Sequence, residues 1–390
     1  SGLWGIESYY NDTLSGTNGR KYGYLTDNVD LQTVTEEPHN GKTVVSTIDI
    51  NIQRIAEKYI SQFMTETGAK NVAAIVMNPN TGEIYGMGSR PDYDPNNYQN
   101  YNQQVLSRNL PIWATYEPGS TQKIITTSAA VEEKVVDLDN DLFYDSGSVK
   151  VDTAKIKCWK AGGHGQQTFM EVLQNSCNPG FVKMGQLLGK DRLFSYLDKF
   201  GFGAKTGVDL SGEGKGIIFP LSKVGNVELA TTAFGQGISV TPIQQVTAVS
   251  AVVNGGKLYQ PYILKSISEK ETGNIIKKNS KKFIRQTISK ETSNTMRRAL
   301  ENVVAKGGGK AAYIDGYRIG GKTGTAQKVE NGVYLVNNYI MSFMAVVPSN
   351  NPEAVLYLAI DNPKHTAMLS SYTTTPIARR ILLDIIEALD

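Results

Sequence analysis

The sequence predicts an α+β fold: an antiparallel sheet flanked by helices, with an inserted all-helical subdomain. Two short apolar runs, Val72–Met77 and Glu83–Met87, surround an Asn/Pro/Gly cluster and read as a β-hairpin. From about residue 120 to 235 the apolar spacing is mainly helical, with Gly/Pro breaks. Two more apolar runs, Tyr339–Val347 and Ala354–Ile360, precede a closing helix from Pro376 that puts Ile377, Ile381, Ile385 and Leu389 on one face. Strands, a helical insert, more strands and a helix place helices on a single sheet rather than between parallel strands.

Taken in order, residues 1–45 are polar and rich in Gly, Asn and Thr, with weak periodicity, which predicts a linker or the remnant of an upstream pedestal domain. The main domain then runs from 46 to 390. Thr47 or Asp49 is positioned to cap a helix whose apolar positions are Ile52, Ile55, Ala56, Tyr59, Ile60 and Phe63. Thr241-Pro242-Ile243 opens another, with Pro242 where its missing N–H costs nothing.

Composition narrows the function. The chain has 390 residues, 40 Lys+Arg against 37 Asp+Glu, and a net charge of +3, so nothing electrostatic points to nucleic acid. Two cysteines exclude a disulfide-framed scaffold, and three histidines leave few routes to histidine-based catalysis. A nucleophile here needs another base. The start, Ser1-Gly2-Leu3-Trp4, is no signal peptide, and no long apolar run follows.

Three motifs carry chemistry. In Glu117-Pro118-Gly119-Ser120-Thr121-Gln122-Lys123 the Pro-Gly pair breaks the chain, Ser120 falls at a helix N-terminus, and Lys123 lies one turn on. A serine hydroxyl is a weak nucleophile without a base beside it, and a lysine amine kept neutral by burial and cationic neighbours can serve. Asn175-Ser176-Cys177-Asn178-Pro179 is a polar break between helical stretches, able to relay a proton and hold an amide. In Gly320-Gly321-Lys322-Thr323-Gly324-Thr325 the small residues admit a substrate backbone, and Lys322 attracts a carboxylate. Gly316–Thr323 also fits the phosphate-loop pattern letter for letter, but that motif needs a helix starting at the lysine, and no helical pattern follows.

Their order and spacing, 56 residues from Ser120 to Ser176 and 146 more to Lys322, resemble the active-site signature of penicillin-binding proteins and serine β-lactamases. Thr47-Ile48-Asp49, Arg108-Asn109 and above all Gly235–Pro242 extend the likeness to class B penicillin-binding proteins. The resemblance implies a peptidoglycan D,D-transpeptidase. Ser120 would attack the carbonyl between two D-alanines of a stem peptide, and Lys123 would take its proton. Ser176 would protonate the leaving amine, and Asn178 would orient substrate and Lys123. Lys322 would attract the terminal carboxylate, with Gly321, Thr323, Gly324 and Thr325 forming the substrate-binding strand edge. Backbone N–H groups of Ser120 and Thr325 would form the oxyanion hole. No cofactor is required for this acyl transfer. β-Lactams would acylate the same serine.

By the same resemblance the enzyme would sit on the extracytoplasmic face of the cytoplasmic membrane, anchored by a segment upstream of Ser1, with a glycosyltransferase partner in the membrane. A β-lactam sensor and a serine β-lactamase share the three motifs. A class A lactamase needs a glutamate after the Ser176 element to activate water, whereas the nearest look-alike, Glu171, comes before it.

Cys158, His164 and Cys177 lie close together beside the second motif. Three readings stand: a Cys158–Cys177 disulfide, two unrelated buried thiols, or a closed zinc site with Asp145, preferred to Asp152, as fourth ligand. Similar Cys/His pairs in class B enzymes of spore-forming Gram-positive bacteria favour a sporulation-type member. His39 and His365 carry no motif and are expected at the surface.

Overall fold

The computed structural model describes residues 1–364 and 370–389, so His365 lies outside the described residues. The chain divides into two compact units.

The smaller unit comprises Ser1–Thr47, Asp209–Ser211 and Tyr262–Ser280. The polar N-terminal stretch contains two short helices, Gly5–Tyr9 and Asn11–Leu14, and a hairpin of Arg20–Leu25 with Leu31–Glu36. Thr43–Ser46 pairs with Leu264–Ser268, which in turn pairs with Ile275–Lys278. Asp209 holds this sheet's entry: its carboxylate accepts the N–H groups of Ile263 at 2.7 Å and Leu264 at 2.8 Å, and the Tyr10 hydroxyl. This unit therefore draws on distant segments, and its first segment ends at Thr47.

The larger unit is built on a five-stranded antiparallel sheet. Its order is Gly320–Glu330, Val333–Val347, Ala354–Asp361, Asn71–Met77 and Ile84–Arg90. Both expected hairpins are present, and the pairing of Ala354–Asp361 with Asn71–Met77 joins the two ends of the chain. Gly320–Glu330 is an edge strand. Lys322 is thus followed by more strand and by a turn at Asn331 (φ 51) and Gly332 (φ 77), which removes the phosphate-loop alternative.

One sheet face packs against helices Ile50–Thr67 and Thr374–Leu389. Asp49, not Thr47, is the cap of the first: its carboxylate accepts Asn51 N–H at 2.8 Å and Ile52 N–H at 3.1 Å. Ile52, Ile60 and Phe63 from that helix meet Ile377, Ile381 and Ile385 from the other in one core with Val72, Phe343 and Leu358. The other face is covered by Pro242–Val253, buried along its whole length and capped by Thr241 and Gln244 acting reciprocally.

The inserted region departs from the all-helical expectation. Helices Lys123–Glu132, Asn178–Leu188 and Lys190–Lys199 are there, but four short strands lie between them. Leu142–Asp145 pairs with Gly165–Thr168, and between these Ser148–Val151 pairs with Ala154–Lys157. Tight turns at Gly147 (φ 101) and Asp152 (φ 51) fold these strands, which are too short to show a period in the sequence.

Candidate active site

Ser120 sits in a single 3-10 turn, Gly119–Gln122, that feeds the helix Lys123–Glu132. Gly119 enters the turn at φ +63, and a Cβ there would lie 3.1 Å from the Thr325 carbonyl oxygen, so the turn lies directly against the Lys322 strand. Ser120 stays partly exposed while Lys123, one turn on, is fully buried.

All three motifs meet at the Ser176 hydroxyl. Lys123 Nζ lies 2.9 Å from Ser176 Oγ, 2.9 Å from the Ser176 carbonyl oxygen and 2.6 Å from Asn178 Oδ1, so as a neutral amine it donates to the two carbonyl-type oxygens and accepts from the Ser176 hydroxyl. Lys322 Nζ donates to the same Ser176 Oγ at 3.0 Å and to the Thr323 carbonyl at 3.1 Å. Ser176 Oγ thus sits between the two lysine nitrogens, where its hydroxyl can exchange a proton with Lys123 and pass one to a third group. Ser176 adopts φ +52, a conformation unusual for serine and held here by the converging lysines.

Two lysines buried around one hydroxyl disfavour each other's charge. Lys123 lies well below the ordinary lysine range, first because burial penalises the ammonium and then because Lys322 is cationic. Burial lowers Lys322 to about 7. The arrangement favours a neutral amine at Lys123, as a base beside Ser120 requires.

Along the strand, Lys322, Gly324 and Ala326 face the Ser120 turn, while Gly321, Thr323 and Thr325 face the other way. A Cβ on Gly324 would fall 2.4 Å from Ser342 Oγ and 3.1 Å from Thr121 Cγ2, so only glycine allows this close fit. Gly321 is backed by Phe343, 2.6 Å from where its Cβ would be. Thr325 Oγ1 donates to Ser370 Oγ at 3.3 Å.

Asp145, Cys158, His164 and Cys177 converge as well, their ligand atoms all within 4.8 Å of one another. Cys158 and Cys177 are free, buried thiols. His164 Nδ1 is 2.9 Å from Asp145 Oδ2 and 3.3 Å from Cys158 Sγ. Burial pushes Cys177 up to about 12. Burial acts to raise Asp145 too, but hydrogen bonds from Cys158, His164 and the Gly147 N–H outweigh it and hold the carboxylate low. Asp152 stands apart, accepting from Asn226 Nδ2 at 3.2 Å.

Asn175 connects this cluster to the catalytic loop. Its carbonyl accepts from Trp159 Nε1 at 2.7 Å, and Trp159 meets the His164 ring edge-on at 5.3 Å. Its side-chain amide donates to Gln167 Oε1 at 3.0 Å. The buried Gln167 Nε2 has no partner among the described residues, and the Gln167 side chain acts to favour the Cys177 thiolate.

Several site residues escaped the sequence reading. Thr121 Oγ1 bonds Gln245 Oε1 at 2.7 Å, Gln245 Nε2 reaches Tyr357 OH at 3.2 Å, and Tyr357 OH meets Tyr116 OH at 2.6 Å. Two adjacent glutamines in a mostly apolar helix were the available signal. Glu117 accepts Gly237 N–H at 2.8 Å and the Tyr334 hydroxyl at 3.1 Å, beside a cavity of about 530 Å³ between Leu110–Glu117, Gly237–Ser239 and Ala326–Val329. Glu171 is used as a helix cap, accepting from Thr168 N–H at 3.3 Å and Thr168 Oγ1 at 3.2 Å. His39 is exposed.

This geometry has known counterparts. Stage V sporulation protein D of Bacillus subtilis is 52% identical over 98% of this chain and 60% of its own length. A penicillin-binding protein PbpB of Mycobacterium tuberculosis is 30% identical over 93% of this chain and 55% of its own. The chain thus spans a little over half the length of these relatives. A crystal structure of penicillin-binding protein 3 from Mycobacterium tuberculosis, complexed with aztreonam, superposes with a TM-score of 0.88 and 27% identity, covering 100% of this chain and 85% of that one. The family model described as "penicillin binding protein transpeptidase domain" matches residues 72–383, and the chain belongs to that family.

Proposed function

We propose that the larger unit is a serine D,D-transpeptidase that cross-links peptidoglycan stem peptides. The observation that carries this is the Ser176 hydroxyl held between Lys123 at 2.9 Å and Lys322 at 3.0 Å. Ser120 Oγ adds to the carbonyl of a D-alanyl-D-alanine bond while Lys123 accepts its proton. The resulting oxyanion is met by the N–H groups of Ser120 and Thr325, each such donor worth ~3 kcal/mol. Collapse breaks the C–N bond, and Ser176 protonates the departing amine, recovering a proton from Lys123. An amine of a neighbouring stem peptide then attacks the ester and releases Ser120. Lys322 attracts the terminal carboxylate throughout.

Use of Glu171 as a cap for Thr168 weighs against a β-lactamase, since that carboxylate is committed to the backbone. Intact-mass measurement after penicillin tests the reading. A single stable acyl adduct, absent in Ser120→Ala, supports it; no adduct, or release within seconds, overturns it.

The likeness to a stage V sporulation protein supports a role in building the spore wall. Placement outside the cytoplasmic membrane, an anchor outside this chain, β-lactam inhibition and a membrane glycosyltransferase partner complete the proposal. Among the described residues no helix is long and apolar enough to cross a membrane.

The Asp145, Cys158, His164 and Cys177 cluster is proposed as a structural zinc site. Tetrahedral zinc brings N, O and S ligands to roughly 3.3–3.8 Å from one another, a modest contraction of the 4.8 Å span seen here. A carboxylate held ionised and a buried Gln167 side chain that favours the Cys177 thiolate suit a metal-bound sulfur. When bound, zinc would fix these ligands and take no part in acyl transfer. Elemental analysis should return one zinc per chain; a value far below one ends this reading.

A further inference from the structure

The hairpin of Ser148–Val151 and Ala154–Lys157 carries a surface that the acyl-transfer chemistry does not use. Lys150 lies directly opposite Lys155, and Lys157 is two residues along the same strand face. All three are exposed, Lys160 follows, and Val151 is buried on the other face. Between Ser148 and Lys160 the one acidic residue is Asp152, at the turn. Among the described residues none of the four lysines joins an ion pair. Like charges directly opposite across two strands destabilise a hairpin, and a ligand carrying negative charge would relieve that repulsion.

Trp159 extends the surface. Trp159 is 67% exposed. It is also fixed, by its bond to the Asn175 carbonyl at 2.7 Å and its edge contact with His164. A rigid, open aromatic face beside clustered ammonium groups fits a ligand that offers both a sugar or peptide face and carboxylates. Asn175 is the residue before Ser176, so the surface reaches to one residue from the hydroxyl that hands a proton to the leaving amine. It lies on the Ser176 side of the site, whereas the chain being acylated runs along the Gly320–Glu330 strand.

We propose that this lysine–tryptophan face docks the second, acceptor peptidoglycan strand through the carboxylates of its stem peptides, delivering the amine that resolves the acyl-enzyme. The inference rests on the transpeptidase reading and adds to it the place where the second substrate approaches.

The test compares the full chain with a Lys150→Glu/Lys155→Glu/Lys157→Glu variant in two assays: penicillin acylation of Ser120, and co-sedimentation with insoluble peptidoglycan bearing pentapeptide stems. Acylation should be unchanged. Retention by peptidoglycan should fall roughly tenfold or more, and wild-type retention should weaken as salt rises. Phosphatidylglycerol vesicles form a second arm; wild-type chain that prefers them over peptidoglycan would mark a lipid-binding face and overturn the proposal. Equal retention of variant and wild type, with acylation intact, would also overturn it. Should the triple variant not fold, Lys155→Gln/Lys157→Gln must show the same loss in smaller measure. Failure of the wild type to be acylated at all would instead sink the transpeptidase reading.

Discussion

The N–H of Gly119 donates to the carbonyl of Gly235 at 3.0 Å, and a Cβ on Gly235 would fall 1.9 Å from the Gly119 oxygen. The turn that carries Ser120 is therefore seated on a glycine 116 residues further along the chain, and this contact accounts for glycine at position 235. Gly235→Ala should displace the turn and slow penicillin acylation by about 100-fold, roughly 3 kcal/mol of lost positioning. Gly255→Ala is the matched control. Gly255 also has positive φ (+95) but has nothing within 4 Å of its Cβ position. It should cost only ~1 kcal/mol of stability, with acylation preserved. Equal acylation rates in the two variants would refute the seating role.

The paired lysines predict a pH profile. Acylation needs Lys123 unprotonated, so its rate should climb with pH until the amine is free. Part of the depression of Lys123 comes from the charge on Lys322. Lys322→Ala should lower the rate and also move the climb to higher pH; an unmoved profile would contradict the coupling.

The same burial links stability to pH. Lys322 titrates at about 7 in the fold against 10.5 free, so between these values the unfolded chain binds more protons. Its contribution is full above 10.5, fades as pH falls, and is lost below 7. The whole interval is worth about 5 kcal/mol. Thermal melts of wild type and Lys322→Met from pH 7 to 10 should show the wild type gaining on the variant as pH rises.

Asn175 predicts that acylation depends on the hydrogen bonds gripping the residue before Ser176. Gln167→Met removes the acceptor of its side chain, and Trp159→Phe removes the donor to its carbonyl. Each should cost ~1 kcal/mol of hydrogen bonding and slow acylation several-fold, with the Lys123 pH profile unchanged in shape. A variant with full acylation rate would show that Ser176 keeps its geometry without this grip.

Removal of metal forms a fifth test. A ligand present at 1,000 times its dissociation constant stabilises by ~4 kcal/mol, so chelation should lower Tm by several degrees and zinc should restore it. Cys177→Ser should melt early and gain nothing from added zinc. An unchanged melt after chelation would leave the four side chains as a buried polar cluster alone.

Much of this site is written locally. Ser120 and Lys123 are one turn apart, Ser176 and Asn178 share a loop, and Lys322 sits in a short run of small residues, so motif and spacing suffice. The proximity of Asp145 to Cys158, His164 and Cys177 was likewise within reach, because Gly147 turns the chain back on itself. Contacts between distant segments were not. Glu117 with Tyr334, and Thr121 with Gln245, join residues more than 120 positions apart, and no periodicity encodes such pairs. The strands between 142 and 168 were missed for the opposite reason, being too brief to outweigh the helical pattern around them.

The Gly320–Glu330 strand lies at the edge of its sheet, and among the described residues only one strand pairs with it. Most proteins conceal such a border, because any stray extended chain can zip onto it. On the transpeptidase reading, concealment would forfeit the use proposed for this strand. A peptide that joins as a sixth member is gripped through its amide groups, which every peptide has, so the border by itself is indiscriminate. Choosiness must then come from what surrounds it: a lysine at one end, glycines that set the depth of approach, and walls that only certain side chains will fit.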